Sequence, residues 1–159
     1  MSKFSPGPVQ PEEQLTRFLF HPMHFGRKGE LKPSVFSHVQ KQGCSVQRED
    51  IASEKELTDF VRDFLNGASD REWRGVLVAQ CRDVRSISVG QTDRRAACVY
   101  DTAETKNPAH AELFRTSHLA DDGDQNELRS NLFKAFGNGV AITPEAYRAG
   151  GILAKVKDQ

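Results

Sequence analysis

The sequence predicts an α+β fold, a single compact domain with a mixed or mainly antiparallel sheet and two principal helices. Two observations carry that prediction. Strand-like segments come in groups, in the order β, β, α, then three or four strands, then α, without the βαβα alternation that a parallel sheet requires. The helical segments, about 53–66 and 124–136, each show apolar residues at helical spacing behind a polar entry. At 159 residues the chain is long enough for one domain with one substantial core.

Residues 1–13, with three prolines, read as a flexible N-terminal arm, and 14–159 as the domain. "LTRFLF" (15–20) is an aromatic-rich strand, apolar on both faces at its end. The connection that follows is broken by Pro22, Gly26, Gly29 and Pro33, and Pro33 can open a helical turn seating Val35 and Phe36. "CSVQRE" (44–49) is a short strand.

The clearest element comes next. Ser53 and Glu56 form a capping box, Leu57, Phe60, Val61, Phe64 and Leu65 make one apolar face, and Asn66-Gly67 offers a left-handed stop. That face is expected to pack on a sheet containing 75–81. "WRGVLVAQC" (73–81), nearly continuous in its apolar run, reads as a central strand. "VRSISVG" (84–90) alternates and can pair with it, and "RAACVYD" (95–101) is a further buried strand. "AHAELFRT" (109–116) is a strand or a helix start. The second helix has Asp124 and Glu127 at its entry, Leu128, Leu132, Phe133 and Phe136 facing inward, and Gly137 at its end. A helical turn after Pro144 and an edge strand at 152–156 complete the chain.

Composition excludes several classes. Lys+Arg and Asp+Glu are equal at 22 each, so no global field recruits nucleic acid or an acidic membrane. Charge is polarised locally, with six arginines against three acids over 71–95 and seven acids against two bases over 101–127. The N-terminus has no apolar signal-peptide core, and no run is long enough to span a membrane. Cys44, Cys81 and Cys98 lack the spacing of a zinc knuckle or a disulfide framework, so a reducing cytoplasm is expected.

One motif invites an enzyme assignment. His110-Ala-Glu112 directly after Asn107-Pro108-Ala109 is how zinc nucleoside deaminases present a metal ligand and a proton-shuttling glutamate. That chemistry also needs a downstream Pro-Cys-x-x-Cys. No cysteine follows Cys98, so the assignment fails and no metal or cofactor is expected. On a strand, His110 and Glu112 would share a face about 7 Å apart, with Ala109, Ala111 and Leu113 on the core side. Such a pair can act as acid and base, or belong to an ordinary solvated face.

Two further groups are candidates for ligand binding. His21 and His24 stand where the first strand runs into a Gly-rich loop, a place where functional side chains collect. Arg48 sits beside Ser45 and Gln47 on a short strand, where it can grip an anion bidentately or pair with Glu49 or Asp50. Nucleotide, serine-hydrolase, zinc-protease and calcium-loop motifs do not occur.

"RFLFHPMHF", "LKPSVFSH", "GCSVQRED" and "NPAHAEL" are together similar to segments of small uncharacterised bacterial proteins that share a late Asn-Pro-Ala-His-Ala. The resemblance covers 15–116 and implies a bacterial or phage origin and a compact single domain, with no activity attached. The expected function is that of a small soluble accessory domain that binds a protein partner. The alternative is a small enzyme or nucleotide-binding domain acting on a phosphorylated substrate, with His21, His24, Arg48, His110 and Glu112 converging on one pocket.

Overall fold

The structure, a computed structural model, describes residues 3–90, 92–119 and 121–150. The expected edge strand at 152–156 lies outside the described residues. Among the described residues five strands, β1 (Gln14–His21), β2 (Cys44–Arg48), β3 (Glu72–Gln80), β4 (Ala97–Asp101) and β5 (His110–Arg115), form one antiparallel sheet in the order β3-β1-β2-β5-β4. The described residues also form the α-helices α1 (Glu54–Leu65), α2 (Cys81–Arg85), α3 (Asp122–Ala135) and α4 (Pro144–Gly150). A 3-10 helix, Pro33–Gln40, follows the proline expected to start a turn. The fold is the predicted α+β.

The two-residue repeat of the strands divides the apolar side chains between the two faces of the sheet. On one face Leu15, Leu19, Val46, Leu77 and Leu113 pack with Val35 and Phe36 of the 3-10 helix and with Leu128, Leu132 and Phe136 at α3. Phe36 and Phe136 meet with ring centroids 5.0 Å apart. On the other face Phe18, Phe20, Val76 and Tyr147 pack with Leu57 of α1. Among the described residues, no helix is long and apolar enough to cross a membrane.

Helix α1 starts as its sequence requires. The Ser53 side chain accepts from the Glu56 amide and the Glu56 carboxylate accepts from the Ser53 amide. Its end differs from expectation. Asn66 is right-handed (φ −67°), Gly67 is not among the positive-φ glycines, and the Phe64 carbonyl is met by the Gly67 amide and by Arg71 Nη1 at 3.0 Å. The long arginine does the work expected of a left-handed turn. The apolar face of α1 does lie against β1 and β3, but only Leu57 is fully buried, while Phe60, Val61, Phe64 and Leu65 remain partly exposed.

Strand β3 is at the edge of the sheet, not its centre. Its apolar run reflects cover on both faces, which hydrophobicity reports, rather than neighbours on both sides, which it does not. The outer edge is closed near its middle by Ile142, whose amide and carbonyl both pair with Val76 at 2.9 Å. Gly75 makes this approach possible. Its φ is +139°, and a Cβ there would stand 2.2 Å from the Ile142 carbonyl oxygen.

The segment expected to pair as a strand at 84–90 is instead the short helix α2 and a following unpaired stretch. The amides of Cys81 and Arg82 donate to the carbonyls of Glu13 and Pro11, which turns the chain out of the sheet at the end of β3. Val84, Ile87 and Val89 still reach the core, so the alternation recorded burial without a ladder. Helix α3 begins earlier than expected, capped by Asp121, which accepts from the Gly123 and Asp124 amides at 2.7 and 3.2 Å. Glu127 instead accepts from the Gly90 amide at 3.1 Å.

Candidate functional site

The strand pattern separates the residues that the sequence groups around Arg48. Arg48 shares its face of β2 with Cys44 and Val46, whereas Ser45 and Gln47 point to the opposite face. Arg48 is 1% exposed and holds Glu13 with two hydrogen bonds, 2.7 and 2.8 Å, and Asp101 at 3.2 Å. It also donates to the carbonyls of Gly7 and Pro8 at 2.8 and 3.3 Å. Its acidic partners are therefore distant in sequence and are not the neighbouring Glu49 or Asp50. Burial alone would raise the Glu13 pKa, but the Arg48 hydrogen bonds and charge outweigh it and hold the carboxyl below its usual range. Through these contacts the stretch before β1, including buried Val9, is tied to the sheet.

A different arrangement fills the gap between β1 and β2, where Arg17 enters from the Leu15 and Leu19 side and Ser45 and Gln47 face the other. The ladder between β1 and β2 consists of Leu15↔Arg48 and Thr16↔Gln47 only. Where it stops, Arg17 occupies the split, donating from Nη1 to the Ser45 carbonyl at 2.9 Å and from Nη2 to the Val35 carbonyl at 3.2 Å. Beyond the cis His21–Pro22 peptide the chain turns back, and His24 Nδ1 accepts from the Phe20 amide at 2.9 Å. A neutral imidazole that accepts at Nδ1 carries its proton on Nε2. His24 is neutral. It is 5% exposed, and burial, reinforced by the charges of Arg17, His38 and Lys32, pushes its pKa down to about 3.

That protonated Nε2 faces Arg17 Nη2 at 3.4 Å. Both atoms are donors, so no hydrogen bond joins them. Arg17 Nε and the side-chain amide Nε2 of Gln47, a residue 1% exposed, are also buried without an acceptor among the described residues. All three side chains line a cavity of about 200 Å³ between β1, β2 and α1, with Ser45, His38 and Phe60 on its walls. An adjoining cavity of about 170 Å³ brings Ser34 and Ser37 to the same Arg17, His24 and His38.

His110 lies on the same face, beyond Ser45. The Asn107-Pro108-Ala109 stretch forms a tight turn, in which Glu104 and Asn107 exchange backbone hydrogen bonds and the His110 amide donates to the Asn107 carbonyl. This turn seats His110, 8% exposed, at the first position of β5. Its Nδ1 faces the Thr102 carbonyl oxygen at 3.2 Å and Thr102 Oγ1 at 2.8 Å. A carbonyl oxygen only accepts, which favours the tautomer with the proton on Nδ1 and the lone pair on Nε2, the Thr102 hydroxyl then donating elsewhere. Ser45 Oγ stands 3.2 Å from that Nε2 and donates to it. His110 also lines a cleft of about 820 Å³ between α1 and the 104–107 turn, and Phe60 borders both this cleft and the smaller cavity.

The structure thus brings His24 and His110 to one face, with Ser45 bordering the His24 cavity and bonded to His110. Glu112 is on that face too, opposite Ser45 on β2 and Tyr100 on β4, but the ring nitrogens of His110 are taken by Thr102 and Ser45. His21 pairs with Glu72 at the end of β1 and lines neither cavity, and Arg48 is on the other side of the sheet. Arg17, His38 and Thr102 were not singled out from the sequence. Arg17 had one visible signal, a charge in the middle of an apolar strand.

Cys44 faces the core opposite to His110, and among the described residues no cluster of three or more His, Cys, Asp or Glu side chains could hold a metal ion. Comparison with family models, with curated proteins and with solved structures finds no match to this chain.

Proposed function

We propose that this protein binds a small anionic ligand, most simply a phosphorylated metabolite, in the cavity between β1, β2 and α1. The observation that carries this reading is the set of donors without an acceptor: His24 Nε2–H facing Arg17 Nη2, with Arg17 Nε and Gln47 Nε2 beside them. Buried donors left unpaired cost about 1–3 kcal/mol each, and a phosphate or carboxylate oxygen among them removes that cost. The groups that depress the His24 pKa besides burial are all positive, so the local field favours an anion.

A protein-partner role has less support. Among the described residues, the large exposed apolar ones, Phe4, Met23, Tyr100 and Val140, belong to four separate segments. Three free thiols, Cys44, Cys81 and Cys98, suit a reducing setting such as a bacterial cytoplasm.

The test is titration with inorganic phosphate and ribose 5-phosphate, followed by amide chemical shifts and by calorimetry. Saturable binding is expected, with shifts at Arg17, His24 and Ser45, weakened at least tenfold in Arg17→Met and in His24→Phe. Absence of saturable binding, or binding that both variants retain, would overturn the reading.

A further inference from the structure

A serine hydroxyl becomes a nucleophile when a neutral imidazole nitrogen, held in the right tautomer, stands ready to take its proton. Ser45 and His110 meet that requirement. The Thr102 carbonyl favours the proton on Nδ1 of His110, and in that tautomer Nε2 accepts from Ser45 Oγ at 3.2 Å. The arrangement is held by three separate elements: β2 supplies Ser45, β5 supplies His110, and the chain just after β4 supplies Thr102. Ser45 is only partly buried and borders the same cavity as Arg17, His24 and Gln47, so a ligand bound there has access to the hydroxyl.

Two of the unpaired donors acquire a purpose in this setting. Nucleophilic attack on an ester turns the carbonyl oxygen into an oxyanion, which needs N–H groups already in position. Gln47 and Arg17, whose Nε2 and Nε are buried without acceptors among the described residues, both line the cavity with Ser45 and are the residues available for it. His24 Nε2–H and the Arg17 Nη2 that it faces, with His38 beside them, remain for a second, permanent charge on the substrate.

From these relations we propose that Ser45 is a catalytic nucleophile with His110 as its general base, and that the protein hydrolyses an ester of an anionic small molecule. Ser45 Oγ bonds to the ester carbonyl carbon while its proton passes to His110 Nε2. The tetrahedral intermediate then collapses, the carbon–alkoxy bond breaks, and His110 returns the proton to the departing alcohol. Water, deprotonated by the same nitrogen, releases the acid and restores Ser45. Nothing is oxidised or reduced. The substrate's anchoring charge rests on the anion site proposed above, whereas the serine chemistry rests on Ser45, His110 and Thr102.

The experiment is reaction of the full-length protein with a neutral alkyl fluorophosphonate, read by intact mass and peptide mapping. In this reaction the serine oxygen bonds to phosphorus, the phosphorus–fluorine bond breaks, fluoride leaves and His110 takes the proton. The expected result is one adduct per chain, on Ser45, absent in Ser45→Ala and at least a hundredfold slower in His110→Gln with unchanged far-UV circular dichroism. If His110→Gln does not fold, the same comparison is made on wild type with and without unfolding by urea, where the expected result is loss of labelling. No adduct on folded wild type, an adduct on another residue, or equal rates in the compared forms would overturn the assignment. Phosphate binding that persists without a Ser45 adduct overturns this inference alone. A Ser45 adduct on a protein that shows no saturable phosphate binding sinks the anion site and leaves the nucleophile standing.

Discussion

His24 Nε2 and Arg17 Nη2 approach to 3.4 Å with a proton on each, so two donors face one another inside the protein. The Phe20 amide imposes this on His24 by occupying Nδ1. The backbone carbonyls of Ser45 and Val35 impose it on Arg17 by fixing the guanidinium plane in the gap between β1 and β2. Each side chain is held by good hydrogen bonds on one side and left without an acceptor on the other. Such a contact suits a site that an anion completes.

Stability should depend on pH through His24. Its folded pKa, about 3, lies below its ordinary value of 6.5, so the unfolded chain takes up the proton first as pH falls. The stabilisation is complete above about 6.5 and declines from there toward 3, with a slope approaching about 1.4 kcal/mol per pH unit. Urea denaturation at pH 7, 6, 5 and 4 should show this slope, and His24→Gln should flatten it. An equally steep profile in the variant would mean that other groups govern acid sensitivity.

Breaking the buried pair on the opposite face should be costly. Glu13→Gln leaves Arg48 with a weaker acceptor, and Arg48→Met strands both Glu13 and Asp101. Removing one member of a buried pair costs about 3–5 kcal/mol, and the loss should be larger for Arg48→Met. Amide exchange should also quicken at residues 9–13 in that variant. A loss below about 1 kcal/mol would show that the pair is dispensable for holding the N-terminal stretch.

Gly75→Ala should lower stability by at least about 2 kcal/mol, since a positive φ and a backbone clash coincide there. The damage should be local. Hydrogen exchange is expected to rise at Val76 and Ile142, whose reciprocal bonds close the edge of β3. Unchanged protection at both amides would argue against that closure.

Two truncations on α1 should differ. Leu57, 1% exposed, should lose about 2–5 kcal/mol on change to Ala. Phe60 packs edge-on against Phe18 with ring centroids 5.3 Å apart but is partly exposed, so Phe60→Ala should lose roughly half the 3–5 kcal/mol of a fully buried phenylalanine. Midpoints of chemical denaturation give the comparison, and a larger loss at Phe60 than at Leu57 would contradict the packing described.

Much of this was legible in the sequence because it depends on near neighbours. The Ser53–Glu56 capping box, the alternation of Leu15 and Leu19 against Phe18 and Phe20, and the left-handed Gly137 that ends α3 all follow from spacings of a few residues. The same local reading allowed 109–116 to be a strand or a helix start, put His110 and Glu112 on one face in the strand case, and named His24 together with His21. It misjudged β3, because an apolar run reports that both faces are covered and is blind to lateral neighbours. It misread 84–90 for a related reason: alternation marks which side chains turn inward, whether or not a ladder exists.

By itself, then, the sequence determined the fold class, the two principal helices, the capping box that opens α1, and much of which side chains turn inward, since these are set by local backbone preference and hydrophobic period. The tertiary structure alone decided strand order, the partners of Arg48, and the meeting of Arg17, His24, Ser45 and His110. Those contacts join residues far apart in the chain, 65 positions in the case of Ser45 and His110. Their geometry depends on strand register and on where the β1–β2 ladder stops. Register emerges only when all five strands pack together, because each pairing is stabilised by the faces that the others help to bury.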